Sequence, residues 1–117
     1  MIFFTKDHME NIRQKVAGGE GEVYGRYPLS QDRRPEKTAF KMIGEITLPA
    51  GSSIGFHIHH EDEEIYIITR GRGSYTRNNG QAAEVGPGDV TLTRKGEGHG
   101  LVNTGPEPLV FLAVITG

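Results

Sequence analysis

From Thr38 onward, glycines and prolines cut the chain into runs of roughly five to nine residues, and this punctuation limits the fold more than any other feature. The 117 residues include 17 glycines and 6 prolines. That leaves little room for helices of ordinary length but suits a series of short antiparallel strands. Eight strands are expected, over residues 39–48, 54–59, 64–69, 74–77, 81–85, 90–93, 101–103 and 109–115. Turn chemistry separates them: Pro49-Ala50-Gly51, Gly71-Arg72-Gly73, Asn78-Asn79-Gly80, Gly86-Pro87-Gly88, Gly96-Glu97-Gly98 and Gly105-Pro106. An open sheet of so many short strands would leave exposed edges, so closure into a small barrel or a double-sheet jelly roll is favoured. The length fits one domain.

Residues 1–37 lack sustained alternation and read as an N-terminal arm to the β-domain of residues 38–117. Within the arm, Asp7 followed by Glu10, with Met9, Ile12 and Val16 at helical spacing, predicts one short capped helix. Gly18-Gly19-Glu20-Gly21 is not a phosphate loop, because it lacks the preceding strand, the following helix and the Lys-Ser/Thr ending.

No apolar stretch exceeds residues 109–115, far below the ~20 residues of a membrane-spanning helix. The net charge is -2 and the basic residues are scattered, so neither a membrane nor a nucleic acid is an expected partner. The N-terminal residues do not read as a secretion signal, and a cytoplasmic location is the expectation. The absence of cysteine removes disulfides, thiolate ligands and a cysteine nucleophile.

His57-Ile58-His59 is the sharpest chemical signal. Residues two apart on a strand share a face, so the two imidazoles sit in chelating geometry. Glu64 follows on the next strand, and His99 adds a third imidazole from far along the chain. Three neutral imidazoles and one carboxylate suit a divalent first-row transition metal, with manganese, iron, nickel, cobalt and zinc all compatible. Four protein donors around an octahedral ion leave two positions open. Alternation also puts Tyr66 on the Glu64 face, either in the cavity or as a packing residue with its hydroxyl bonded to backbone. His60 reads as a loop residue or an outer partner of the ligands.

These residues resemble the two motifs of the cupin superfamily. The first, Gly-x5-His-x-His-x3,4-Glu-x6-Gly, is met by Gly51, His57, His59, Glu64 and Gly71. Glu63 is a rival at the shorter spacing, and the distance to Gly71 selects Glu64. The second, Gly-x5-Pro-x-Gly-x2-His-x3-Asn, is met by Gly88, Gly96, His99 and Asn103, with Arg94 where the family has proline. The resemblance implies an all-β cupin fold, a double-stranded β-helix jelly-roll barrel, with a metal held inside by His57, His59, Glu64 and His99. It casts Asn103 as a scaffold residue, Glu64 and Tyr66 as the acid-base groups, and a homodimer as the assembly, with the arm crossing between subunits. The function it implies is metal-dependent catalysis on a small organic molecule, of dioxygenase, decarboxylase or isomerase type. The alternative is a non-catalytic module that binds a sugar or another small metabolite.

Overall fold

Alternation decides which way each strand faces. In β5 (Glu63–Arg70) Glu64, Tyr66 and Ile68 are buried, whereas Ile65, Thr69 and Arg70 are exposed. In β10 (Leu109–Thr116) Leu109, Phe111 and Ala113 point inward. The computed structural model, which describes residues 1–117, arranges ten strands in two antiparallel sheets. The larger sheet has the order β1-β2-β3-β10-β5-β8, where β1 is Met9–Gln14, β2 Glu22–Leu29, β3 Phe40–Leu48 and β8 Val90–Thr93. The smaller has the order β4-β9-β6-β7, where β4 is Ser53–Ile58, β6 Gly73–Thr76, β7 Ala82–Val85 and β9 Gly98–Asn103. One core lies between the facing sheets, with Leu48, Leu101, Leu109 and Phe111 fully enclosed. No helix is long and apolar enough to cross a membrane.

All eight expected strands form, and β9 begins three residues earlier than expected, which brings His99 onto a strand. The expected helix does not form. Met9–Gln14 is instead a strand paired with β2, and β2 in turn pairs with β3 of the same chain. Its physical reason lies in β2, where Val23, Gly25, Tyr27 and Leu29 alternate inward. Once β2 extends the sheet, β1 gains a ladder of backbone hydrogen bonds that a six-residue helix could not match. Within the chain, the arm therefore pairs with the β-domain that follows it. Its turn at Val16–Gly18 is clamped to β4: Ser53 N donates to Glu20 O at 2.8 Å, and Glu20 N donates to Ser53 Oγ at 2.8 Å.

Asn103 takes the scaffold role. Buried to 2% exposure, its Nδ2 donates to Leu48 O at 2.9 Å and Glu107 O at 2.8 Å, and its Oδ1 accepts from Gly105 N at 2.9 Å. One side chain thus ties the end of β3 to the turn before β10.

Candidate metal centre

Strand alternation alone would aim His57 outward. Ile54 points into the core, so a regular strand would place Phe56 and Ile58 inward beside it. Between Ile54 and His57 the β4–β9 register shifts: Ile54 pairs with Leu101, and His57 pairs with His99, so three steps on β4 face two on β9. This β-bulge returns His57 to the inner face and leaves Phe56 exposed. Gly55 sits in the bulge, and a Cβ there would overlap the Ala17 carbonyl of the arm.

The three imidazoles then converge, with ring centroids 5.0 Å apart for His57 and His59, 4.8 Å for His57 and His99, and 5.0 Å for His59 and His99. Glu64 approaches from the opposite sheet, its Oε1 lying 3.1 Å from Nε2 of both His59 and His99. The four donor atoms all fall within 4.8 Å of one another. His59 lies just past β4 and is held by backbone: its N–H donates to Glu97 O at 2.9 Å and its carbonyl accepts from Gly96 N at 2.6 Å. Gly96, at φ +86°, makes that turn. Arg94, in the usual proline position, secures the same turn differently. It is exposed, and its guanidinium pairs with Glu97 at 2.9 Å while its backbone N–H donates to Glu97 Oε1 at 2.9 Å. That pair holds the Glu97 carboxyl below its ordinary pKa and the guanidinium above its own.

The outer nitrogens explain why the inner ones face each other. His57 Nδ1 donates to Gly55 O at 2.8 Å, and His59 Nδ1 donates to Asp62 Oδ1 at 2.7 Å. His99 Nδ1 lies 2.8 Å from Thr93 Oγ1 and 3.2 Å from the Tyr75 hydroxyl. With Nδ1–H bonded outward, each neutral ring presents an Nε2 lone pair inward. The result is a crowd of acceptors with only the Tyr66 hydroxyl, 3.5 Å from His99 Nε2, as a donor beside them: His59 Nε2 and His99 Nε2 are 3.1 Å apart, and the buried Glu64 Oε1 has no hydrogen-bond partner. A buried carboxylate oxygen without a partner is costly, and a cation relieves it. The donor set therefore fits a divalent metal.

Electrostatics agree with this arrangement. Burial pushes the His57 pKa down, favouring the neutral ring. The Glu64 carboxylate raises that of His59, with Asp62 adding to it, so a proton on His59 competes with a cation. Burial pushes the Glu64 carboxyl up, but the neighbouring His59 and His99 outweigh it and leave its pKa below the ordinary value.

Tyr66 is in the cavity and buried, its ring stacked on His99 at 4.8 Å and packed against Phe111 at 4.6 Å. Its hydroxyl lies 3.5 Å from His99 Nε2, and burial raises its pKa well above the usual phenol value. It is a hydrogen-bond donor at neutral pH rather than a base. Glu63 and His60 are exposed and take no part in the cluster. Asp62, Thr93 and Tyr75, which orient the imidazoles, were not legible as such. Asp62 lay within an acidic run, whereas Thr93 and Tyr75 meet His99 only across strands. A cavity of about 310 Å3, at the lower end of the range for small-molecule sites, opens over His57, His59, Glu64 and Tyr66.

Comparison with known proteins places this architecture among relatives. An oxalate-binding protein of Thermotoga maritima is 39% identical over 111 residues, covering 95% of this chain and 86% of that one. The crystal structure of a predicted oxalate decarboxylase from Thermotoga maritima superposes with a TM-score of 0.88 at 34% identity, covering 99% of this chain and 98% of the other. KdgF from Halomonas shares the fold at 16% identity, with a TM-score of 0.74 over 100% of this chain and 94% of that one. The Cupin_2 family model, described as a cupin domain, matches residues 44–115, a span holding the bulged strand, the four donors and the Asn103 tie. With that match over more than half its length, the chain belongs to the cupin family.

Proposed function

We propose that this chain is a metal-dependent cupin that holds a divalent first-row metal through His57, His59, Glu64 and His99 and acts there on a small carboxylate. Oxalate, which the name of the Thermotoga maritima relative specifies for that protein, is the first ligand to test. The observation that carries the reading is the unpartnered Glu64 Oε1 among inward imidazole nitrogens, at the base of a cavity of small-molecule size. When bound, the metal supplies Lewis acidity and open coordination positions for ligand oxygens.

The remaining chemistry belongs to the chain. Glu64 is ionised and balances charge. Tyr66 keeps its proton and donates a hydrogen bond into the site. Ile46, Ile54 and Phe111 exclude water from it. The decisive experiment is to load purified protein with manganese, iron, nickel, cobalt or zinc in turn, add carbon-13 oxalate, and follow binding by calorimetry and products by NMR. Formation of formate and carbon dioxide, one C–C bond broken and one proton taken up per oxalate, supports a decarboxylase. Binding without product supports the second reading, a non-catalytic carboxylate-binding module. Glu64 is the one carboxylate in the cavity wall and is itself a candidate ligand, which favours that second reading. Failure of every metal-loaded form to bind any small carboxylate refutes both.

The assembly proposed is a homodimer through the outer face of the larger sheet. Cross-strand register puts Ile43, Val114, Ile65 and Leu92 in one row and Leu112, Ile67 and Val90 in the next. Val90 and Leu92 are 61% and 55% exposed, and a contiguous apolar sheet face of this kind calls for a partner. Light scattering should give twice 12.8 kDa, and a monomeric mass at micromolar concentration rejects the dimer.

A further inference from the structure

The cavity over the imidazoles is walled mostly by apolar side chains, and one cation stands among them: Arg13. It belongs to neither cupin motif and comes from β1, at the far edge of the larger sheet. Register pairs Arg13 with Val23, which is fully buried, so Arg13 lies on the strand face turned toward the barrel and stands at the cavity rim. Arg13 makes no ion pair, as is also true of Arg33, Arg34, Arg70 and Arg77, but it alone of these lines the cavity. Its one side-chain partner is a neutral hydroxyl, with Nη2 donating to Tyr27 Oη at 3.0 Å.

That contact is built. Tyr27 is 7% exposed, and its ring lies against two glycines, Gly25 on its own strand β2 and Gly44 on the neighbouring β3. A Cβ on Gly44 would come 2.7 Å from Tyr27 Cδ1, and one on Gly25 would come 2.5 Å from Cε2. The sheet thus leaves a recess for the ring. The ring fixes one guanidinium nitrogen, and the other N–H donors remain for a ligand.

We infer that Arg13 is the carboxylate anchor of this site: a small dicarboxylate bound at the metal presents its outer oxygens to the Arg13 guanidinium, and β1 thereby sets the preference for dianions. The inference rests on the proposed metal-dependent carboxylate reading and adds the residue that selects the ligand. A planar guanidinium matches carboxylate oxygens bidentately. Arg13 is itself exposed at the rim, so the fit of the fork rather than a dry surrounding carries the pairing. Tyr27 is a positioning residue that acts through Arg13.

The test uses the full chain loaded with manganese, titrated by calorimetry with oxalate and with oxamate, in which an amide replaces one carboxylate. Arg13→Gln should bind oxalate about 10- to 100-fold more weakly, change little toward oxamate, and keep the wild-type metal content by elemental analysis. Arg13→Lys, which keeps the charge without the fork, should fall between. Tyr27→Phe should weaken oxalate binding alone but add nothing in the Arg13→Gln background, a coupling that a merely structural role would not produce. Should Arg13→Gln fail to fold, Arg13→Lys and Tyr27→Phe carry the test.

Wild-type affinity for oxalate in Arg13→Gln overturns the anchor and leaves the proposed function standing. Loss of metal in that variant also overturns it. No oxalate binding by the loaded wild type removes the anchor and the carboxylate reading together.

Discussion

Removing the Asp62 carboxylate is the sharpest way to ask whether the outward hydrogen bonds tune the metal centre. In Asp62→Ala the acceptor 2.7 Å from His59 Nδ1 disappears, while the backbone grip of Gly96 and Glu97 on His59 remains. Hydrogen bonds to charged groups contribute ~1.5–3 kcal/mol. The Asp62 side chain is 23% exposed, so water takes over part of its role and the lower end applies. About 1.4 kcal/mol is a tenfold loss of metal affinity, at the weak end of the range for outer partners of metal ligands. The assay is competition for manganese or zinc against a chromophoric chelator at pH 8 and pH 6, with Glu61→Ala, an exposed neighbour, as control.

The sign of the pH effect follows from His59. Its raised pKa comes first from Glu64 and then, against the burial that lowers it, from Asp62. Deleting Asp62 removes one of the raising causes, so at pH 6 the variant has less proton to displace than the wild type. The wild-type advantage should therefore be tenfold at pH 8 and smaller at pH 6. Equal affinity of the variant and the wild type at pH 8, or an equal loss in Glu61→Ala, refutes the reasoning.

The remaining predictions concern the metal, acid and the scaffold. Saturation with metal at ~100 times its Kd should stabilise the fold by ~2.7 kcal/mol, about 10 °C in Tm, read by calorimetry and reversed by chelator; His57→Ala should show no shift. Metal occupancy, measured by elemental analysis after gel filtration, should be complete above the ordinary imidazole pKa of ~6.5 and fall below it. His59 takes up its proton before His57, because their pKa values are raised and lowered respectively. Full occupancy at pH 4 contradicts imidazole ligation. Asn103→Ala strands the carbonyls of Leu48 and Glu107 and should cost about 3 kcal/mol in urea unfolding with metal content unchanged; loss of metal there would contradict a scaffold role.

The eight strands after Thr38 were legible because their apolar alternation and glycine breaks are local properties, fixed by side-chain period and backbone freedom. The donor set was legible for a related reason: imidazoles and a carboxylate at these spacings suit a metal whatever surrounds them. The arm was misread as part helix because Met9, Ile12 and Val16 fit a helical period, whereas strand pairing with β2 depends on a partner outside that window.

Tertiary structure alone decided three further things. A one-residue register slip against β9 turns His57 inward, which no count along β4 predicts. Asp62, Thr93 and Tyr75 became partners of the imidazoles through the turn after β4 and through cross-strand contacts. Arg13 reached the cavity because β1 pairs with β2 in a register that sets it opposite the buried Val23. The sequence by itself determined which chemistry is present, since that resides in residue type and local period. Where that chemistry points was settled by pairing between distant segments, because hydrogen-bond register and burial are properties of two strands together and of neither alone.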